Sequence, residues 1–144
     1  MKRVGNGIRY GDVATVAGGM SGEGGRTRGK TVLVVDDERS LRLLCRVNLE
    51  LDGYLVHEAG TLAEARELIE RETPDVILLD VHIGSEDGLE LLDEVEALDL
   101  PVRVVLLSGT SDVSAELRSR VDGVLGKPFE LGRLAAAVGG LNLR

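Results

Sequence analysis

The sequence predicts an α/β fold with five parallel strands, alternating with five helices that cover both faces of the sheet. Three observations carry this. Short apolar runs rich in branched side chains (Val32-Leu33-Val34-Val35, Val76-Ile77-Leu78-Leu79 and Val104-Val105-Leu106-Leu107) each stop at a polar residue, as strands buried on both faces do. Amphipathic stretches with helical spacing lie between them. The 144 residues suffice for one domain with a proper core.

Taken in order, residues 31–35 form the first strand, ending at Asp36-Asp37. A helix follows over 38–51 with Leu41, Leu44, Cys45 and Asn48 on its inward face, closed by Asp52-Gly53. The second strand covers 54–57. Thr61, three residues before Glu64, makes a capping box for a helix that turns Leu62, Ala65, Leu68 and Ile69 inward. Thr73-Pro74-Asp75 leads into the third strand, which ends at Asp80. Residues 87–98 form a helix packing Leu89, Leu92 and Val95, and Pro101 opens the fourth strand, which ends at Ser108. A short helix over 112–119, a fifth strand over 121–125 and Gly126-Lys127-Pro128 follow. The last helix spans 129–141, with Leu131, Leu134, Ala135 and Val138 inward.

Net charge is −8, unevenly spread. Residues 1–30 carry six basic and two acidic side chains, a local +4, which leaves −12 on the rest. An acidic body excludes direct nucleic-acid binding by the folded part, since neutralising phosphate drives such binding. Cys45 is the sole cysteine, so no internal disulfide exists. No apolar stretch is long enough for a signal peptide core or membrane insertion, and a cytoplasmic protein is expected. Residues 1–29, with nine glycines, read as a flexible basic tail, and 30–144 as the folded domain. Within the tail, Gly24 to Thr31 matches the phosphate-loop pattern G-x-x-x-x-G-K-[ST]. That loop needs a strand before it and a helix after it, whereas here a strand follows, so the match is read as chance.

Right-handed crossovers leave few arrangements, and strand order 2-1-3-4-5, the doubly wound flavodoxin-like order, is the common one at this size. The first and third strands then flank the switch point. Asp36, Asp37 and Asp80 meet there, and Ser108 and Lys127 arrive from the fourth and fifth strands. Three clustered carboxylates repel, and a divalent oxygen-seeking cation such as Mg²⁺ removes the conflict. A carboxylate beside such a cation and a lysine can attack a phosphoryl group, giving an aspartyl phosphate on Asp80. Each residue taken alone also has a structural reading: Asp36-Asp37 as a helix cap, Ser108 as a turn residue, Lys127 as a solvated charge. All five at strand ends are hard to dismiss together.

With these residues in place, the sequence resembles the receiver domain of two-component response regulators. Val34-Val35-Asp36-Asp37-Glu38, Asp75 to Asp80, Asp87 to Leu92, Leu107-Ser108-Gly109 and Gly126-Lys127-Pro128-Phe129 carry the resemblance, which covers residues 31–141. It implies that Asp80 accepts phosphate from a histidine kinase or phosphotransfer protein. It further implies that Asp36, Asp37, Asp80 and the backbone carbonyl of His82 hold Mg²⁺, and that Ser108 and Lys127 contact the phosphoryl group. It implies a cis Lys127-Pro128 bond, a regulatory domain rather than an enzyme, and a role for His82 in the phosphate's lifetime. Three departures bear on signalling. Val124 stands where the family carries an aromatic that turns inward on activation, the stretch from Ser108 to Lys127 is short, and Gly84 replaces a common proline and is expected to loosen its loop. His57 is expected at the surface and Cys45 in the core.

Because Arg144 ends the chain directly after the last helix, output is expected through protein contacts with a downstream target, or by phosphate relay. A competing reading is a receiver-like interaction module independent of phosphate, favoured by Val124 and the short helix. A third is a phosphatase of the haloacid dehalogenase type. Such enzymes place an acid two residues after the nucleophile, where this chain has His82, and their acidic pair comes late, not first.

Overall fold

The computed structural model describes residues 30–109 and 113–140. The tail 1–29, with most of the phosphate-loop-like stretch, lies outside the described residues, as do 110–112 and 141–144. The strands are β1 (Thr31–Val35), β2 (Leu55–Ala59), β3 (Val76–Asp80), β4 (His82–Ile83), β5 (Glu86–Asp87), β6 (Arg103–Ser108) and β7 (Gly123–Gly126). The helices are α1 (Arg39–Leu51), α2 (Leu62–Glu72), α3 (Leu89–Ala97), α4 (Ala115–Arg118) and α5 (Leu131–Gly139). Thr31 opens β1, so Lys30-Thr31 runs into a strand rather than a helix.

Five strands form one parallel sheet in the order β2-β1-β3-β6-β7. With β6 and β7 as the fourth and fifth sheet strands, this is the order read from the sequence. Register aligns the strand ends: Val35 pairs with Leu79, Asp80 with Leu107, and Ser108 with Gly126. Asp36, Asp80, Ser108 and Lys127 therefore leave the sheet along one edge.

Because strand side chains alternate, each strand feeds two cores. Val32, Val34, Val76, Leu78, Val105 and Leu107 pack with Cys45 and Leu49 of α1 and Leu134 and Val138 of α5. On the other face Leu33, Val35, Ile77, Leu79 and Leu106 pack with Leu62, Ala65 and Ile69 of α2 and Leu91, Leu92 and Val95 of α3. Burial of each of these Val, Leu and Ile side chains contributes roughly 1.5–3 kcal/mol. Thr61 caps α2 as expected: its hydroxyl accepts from Glu64 N at 3.1 Å, while the Glu64 carboxylate accepts from Gly60 N at 2.8 Å. α2 ends at Thr73, which takes a left-handed φ of 42°.

Several sequence expectations are corrected. β2 runs to Ala59, because all five of its residues pair with β1 and the last pair lies beyond the polar His57 and Glu58. Leu44 is 45% exposed, and Leu49 takes its inward place. The stripe rotates because α1 packs with α5 along Cys45 and Leu49, and Leu43, Leu44, Val47 and Leu51 are left facing outward. Leu131 at the first turn of α5 is likewise exposed. His57 is half-buried, with Nε2 3.5 Å from the Glu72 carboxylate. The fifth sheet strand begins at Gly123 rather than residue 121, and the fourth helix shrinks to four residues, with its expected start outside the described residues. Two short antiparallel strands, β4 and β5, were not legible in the sequence. Gly84, expected to loosen this loop, takes φ 61°, the value a two-residue hairpin turn needs at its first central position.

Leu78→Ala, on the central strand and fully buried, should lower unfolding free energy by about 2–5 kcal/mol. Leu44→Ala should stay within about 0.5 kcal/mol of wild type. Chemical denaturation of the two variants checks both.

Candidate functional site

Asp36 follows the last residue of β1 and is fully buried; its Oδ1 accepts from Glu38 N at 2.8 Å, setting the turn into α1. Asp37 beside it is exposed. Asp80 ends β3, buried except for 6% of its surface, and its Oδ1 accepts from His82 N at 3.2 Å. Lys127 reaches in from the end of β7, with Nζ 2.8 Å from Asp36 Oδ2 and 3.1 Å from Asp80 Oδ2. Ser108 ends β6 and is buried; its carbonyl accepts from Lys127 N at 2.7 Å, tying the fourth and fifth sheet strands together at this edge. The Lys127-Pro128 peptide is cis. Asp36, Asp37, Asp80 and Lys127 come to one place, and Ser108 ends its strand along the same sheet edge.

Burial pushes the Asp80 carboxyl above the ordinary carboxylate range, and the nearby Asp36 charge adds to this against the hydrogen bond from Lys127. For Lys127, burial works to lower the pKa, but its contacts with Asp36 and Asp80 outweigh burial and raise it. The ammonium therefore stays charged between the two carboxylates.

The donor set fits a hard divalent cation. Carboxylate oxygens of Asp36, Asp37 and Asp80 all lie within 4.8 Å of one another. Asp36 Oδ2 is buried and met by the Lys127 charge without a well-directed hydrogen bond. Three clustered hard oxygens with solvent on the Asp37 side suit Mg²⁺, which keeps waters in its shell.

Supporting residues escaped the sequence reading. Arg42 of α1 donates from Nη1 to the Asp36 carbonyl at 2.7 Å and from Nε to Glu58 of β2 at 3.2 Å, fixing the loop that carries Asp36-Asp37. Gly88 N donates to the Val81 carbonyl at 2.7 Å, and a Cβ at Gly88 would collide with the Asp80 carbonyl oxygen. Only glycine lets the chain return so close to the Asp80 backbone. The Asp87-Gly88 pair was visible as a motif, but its reason lies in this approach. Val124 is half-buried against the α2–α3 core.

Residues 32–139 match the family model for the response regulator receiver domain. The chain belongs to the response regulator receiver domain family. It is 40% identical to the KDP operon transcriptional regulatory protein KdpE of Escherichia coli over 110 residues, 73% of this chain and 48% of that protein. It is 29% identical to sporulation initiation phosphotransferase F of Bacillus subtilis over 110 residues, 74% of this chain and 89% of that protein. Thus the chain spans about half of KdpE but most of the Bacillus protein. The receiver domain of a LuxO repressor protein from Vibrio parahaemolyticus superposes with TM-score 0.73 at 28% identity, covering 78% of this chain and 88% of that one. A response regulator from Thermotoga maritima gives 0.70 at 30% identity, covering 78% and 96%. Among the described residues, no helix is long and apolar enough to cross a membrane.

Two outcomes follow. Gly88→Ala should cost about 1–3 kcal/mol through the forced shift of the Asp80 backbone, read by thermal unfolding in the presence of EDTA. Burial, reinforced by the Asp36 charge, pushes the Cys45 thiol up to about 11. The thiol thus stays protonated and enclosed at pH 8, so iodoacetamide should leave the native protein unmodified there and alkylate it in urea, as intact mass will show.

Proposed function

We propose that this receiver domain accepts a phosphoryl group on Asp80 from a histidine kinase or phosphotransfer protein, in the cytoplasm and with Mg²⁺. The observation that carries the reading is the Lys127 ammonium bridging Asp36 and Asp80 beside Asp37. Asp36, Asp37, Asp80 and the His82 carbonyl would hold Mg²⁺, which when bound supplies positive charge to the transferred oxygens. An Asp80 carboxylate oxygen attacks phosphorus, and the bond to the donor's nitrogen breaks with its electron pair leaving on the donor. Lys127 neutralises charge that develops on the phosphoryl oxygens, and the Ser108 hydroxyl donates to one of them. The chain catalyses only its own phosphorylation and dephosphorylation, with His82 beside the reaction centre to influence how long the phosphate lasts. The outward apolar row of α1 (Leu43, Leu44, Val47 and Leu51) supports a protein partner rather than a small ligand. Likeness to a phosphotransferase that the chain spans almost fully supports relay of the phosphate, or output through protein contacts.

A second reading, an interaction module independent of phosphate, is favoured by Val124 and the four-residue α4. Incubation with acetyl phosphate and Mg²⁺ should add one phosphoryl group, about 80 Da, to the wild type and none to Asp80→Asn. Lys127→Ala and added EDTA should each abolish the gain. A wild type that stays unlabelled beside a labelled control receiver would favour the second reading.

A further inference from the structure

The loop leaving Asp80 is folded back as a hairpin rather than left open. Its ends are closed by the Gly88 N to Val81 O hydrogen bond, and inside it His82 pairs with Asp87 and Ile83 with Glu86. Residues directly opposite in an antiparallel pair share a face. Ile83 and Glu86 therefore point the same way, and both meet α2. Ile83 is buried in the same core as Leu62, the first residue of α2, and the Glu86 carboxylate accepts from Leu62 N at 3.1 Å. That amide is one of the unpaired donors at the start of a helix, where a negative charge is also favoured. Thr61 serves the Glu64 amide, so Glu86 supplies a second and separate cap from 24 residues away. The Arg66 guanidinium one turn along α2 feels the Glu86 charge as well.

We propose that Glu86 is a positioning residue for the metal site. It locks the β4–β5 hairpin to the rigid start of α2, and the hairpin in turn holds His82, whose amide meets Asp80 Oδ1 and whose carbonyl is assigned to the cation. The proposal rests on the Mg²⁺ reading of the site. Without the clamp, the hairpin keeps the Gly88–Val81 tie at its base and Ile83 in the core, but its Glu86 strand is released from α2 and the His82 carbonyl is held less closely against the carboxylates.

The test is Mg²⁺ titration of the full chain by isothermal calorimetry, with no phosphodonor present. Glu86→Ala should weaken Mg²⁺ binding about tenfold, and Glu86→Gln, which keeps the acceptor oxygen, should recover affinity to within about twofold of wild type. Thr61→Ala removes the other cap of α2 without touching the hairpin and should bind Mg²⁺ as wild type does. Wild-type affinity in Glu86→Ala, or an equal loss in Thr61→Ala, would overturn the proposal alone. A wild type that binds no Mg²⁺ would overturn the reading of the site and the proposal with it.

Discussion

Two carboxylates leave neighbouring parallel strands at the same edge of the sheet, and one ammonium holds them there. Lys127 lies 2.8 Å from Asp36 and 3.1 Å from Asp80, both of which are shut away from water. Burying a charge without a partner is strongly unfavourable, and two like charges side by side compound it. The fold therefore needs the fifth sheet strand to end where it does, and the tie between Lys127 N and the Ser108 carbonyl secures that end. Removing one member leaves the others in an environment built for three.

Around this triad the sheet is rigid and the loops are pinned individually. Arg42 grips the carbonyl of Asp36 and the edge strand β2 together. Gly88 lets the chain pass against the Asp80 carbonyl. The hairpin between them is anchored by one buried side chain and one carboxylate. Loops pinned in this way hold the clustered side chains in place, so a ligand that enters the site has little left to order. A four-residue α4 packs Leu117, with the half-buried Val124 of β7, against the α2–α3 core. A branched aliphatic side chain such as Val124 is stiff at χ1.

The five strands of the main sheet and the acidic residues at their ends were legible because each depends on local pattern: apolar runs set the buried strands, and polar residues mark their ends. Their order followed from crossover handedness. Leu44 and Leu131 were misplaced because helical spacing defines a stripe without saying which edge of it a neighbouring helix covers. The β4–β5 hairpin went unread because its two-residue strands carry no periodicity, and Gly84 signals a turn only once the pairing of Ile83 with Glu86 is known.

What the sequence determined by itself was the α/β class and the acidic cluster with the lysine beside it. These follow from residue type and from spacing along the chain. Tertiary structure alone decided which groups support them. Arg42 reaches Asp36 and Glu58, and Glu86 reaches Leu62, across separations that only the closed sheet brings within hydrogen-bond range. A contact between residues far apart in sequence costs loop-closure entropy and is formed only when the rest of the fold has already brought them together. No local signal marks such a partner in advance.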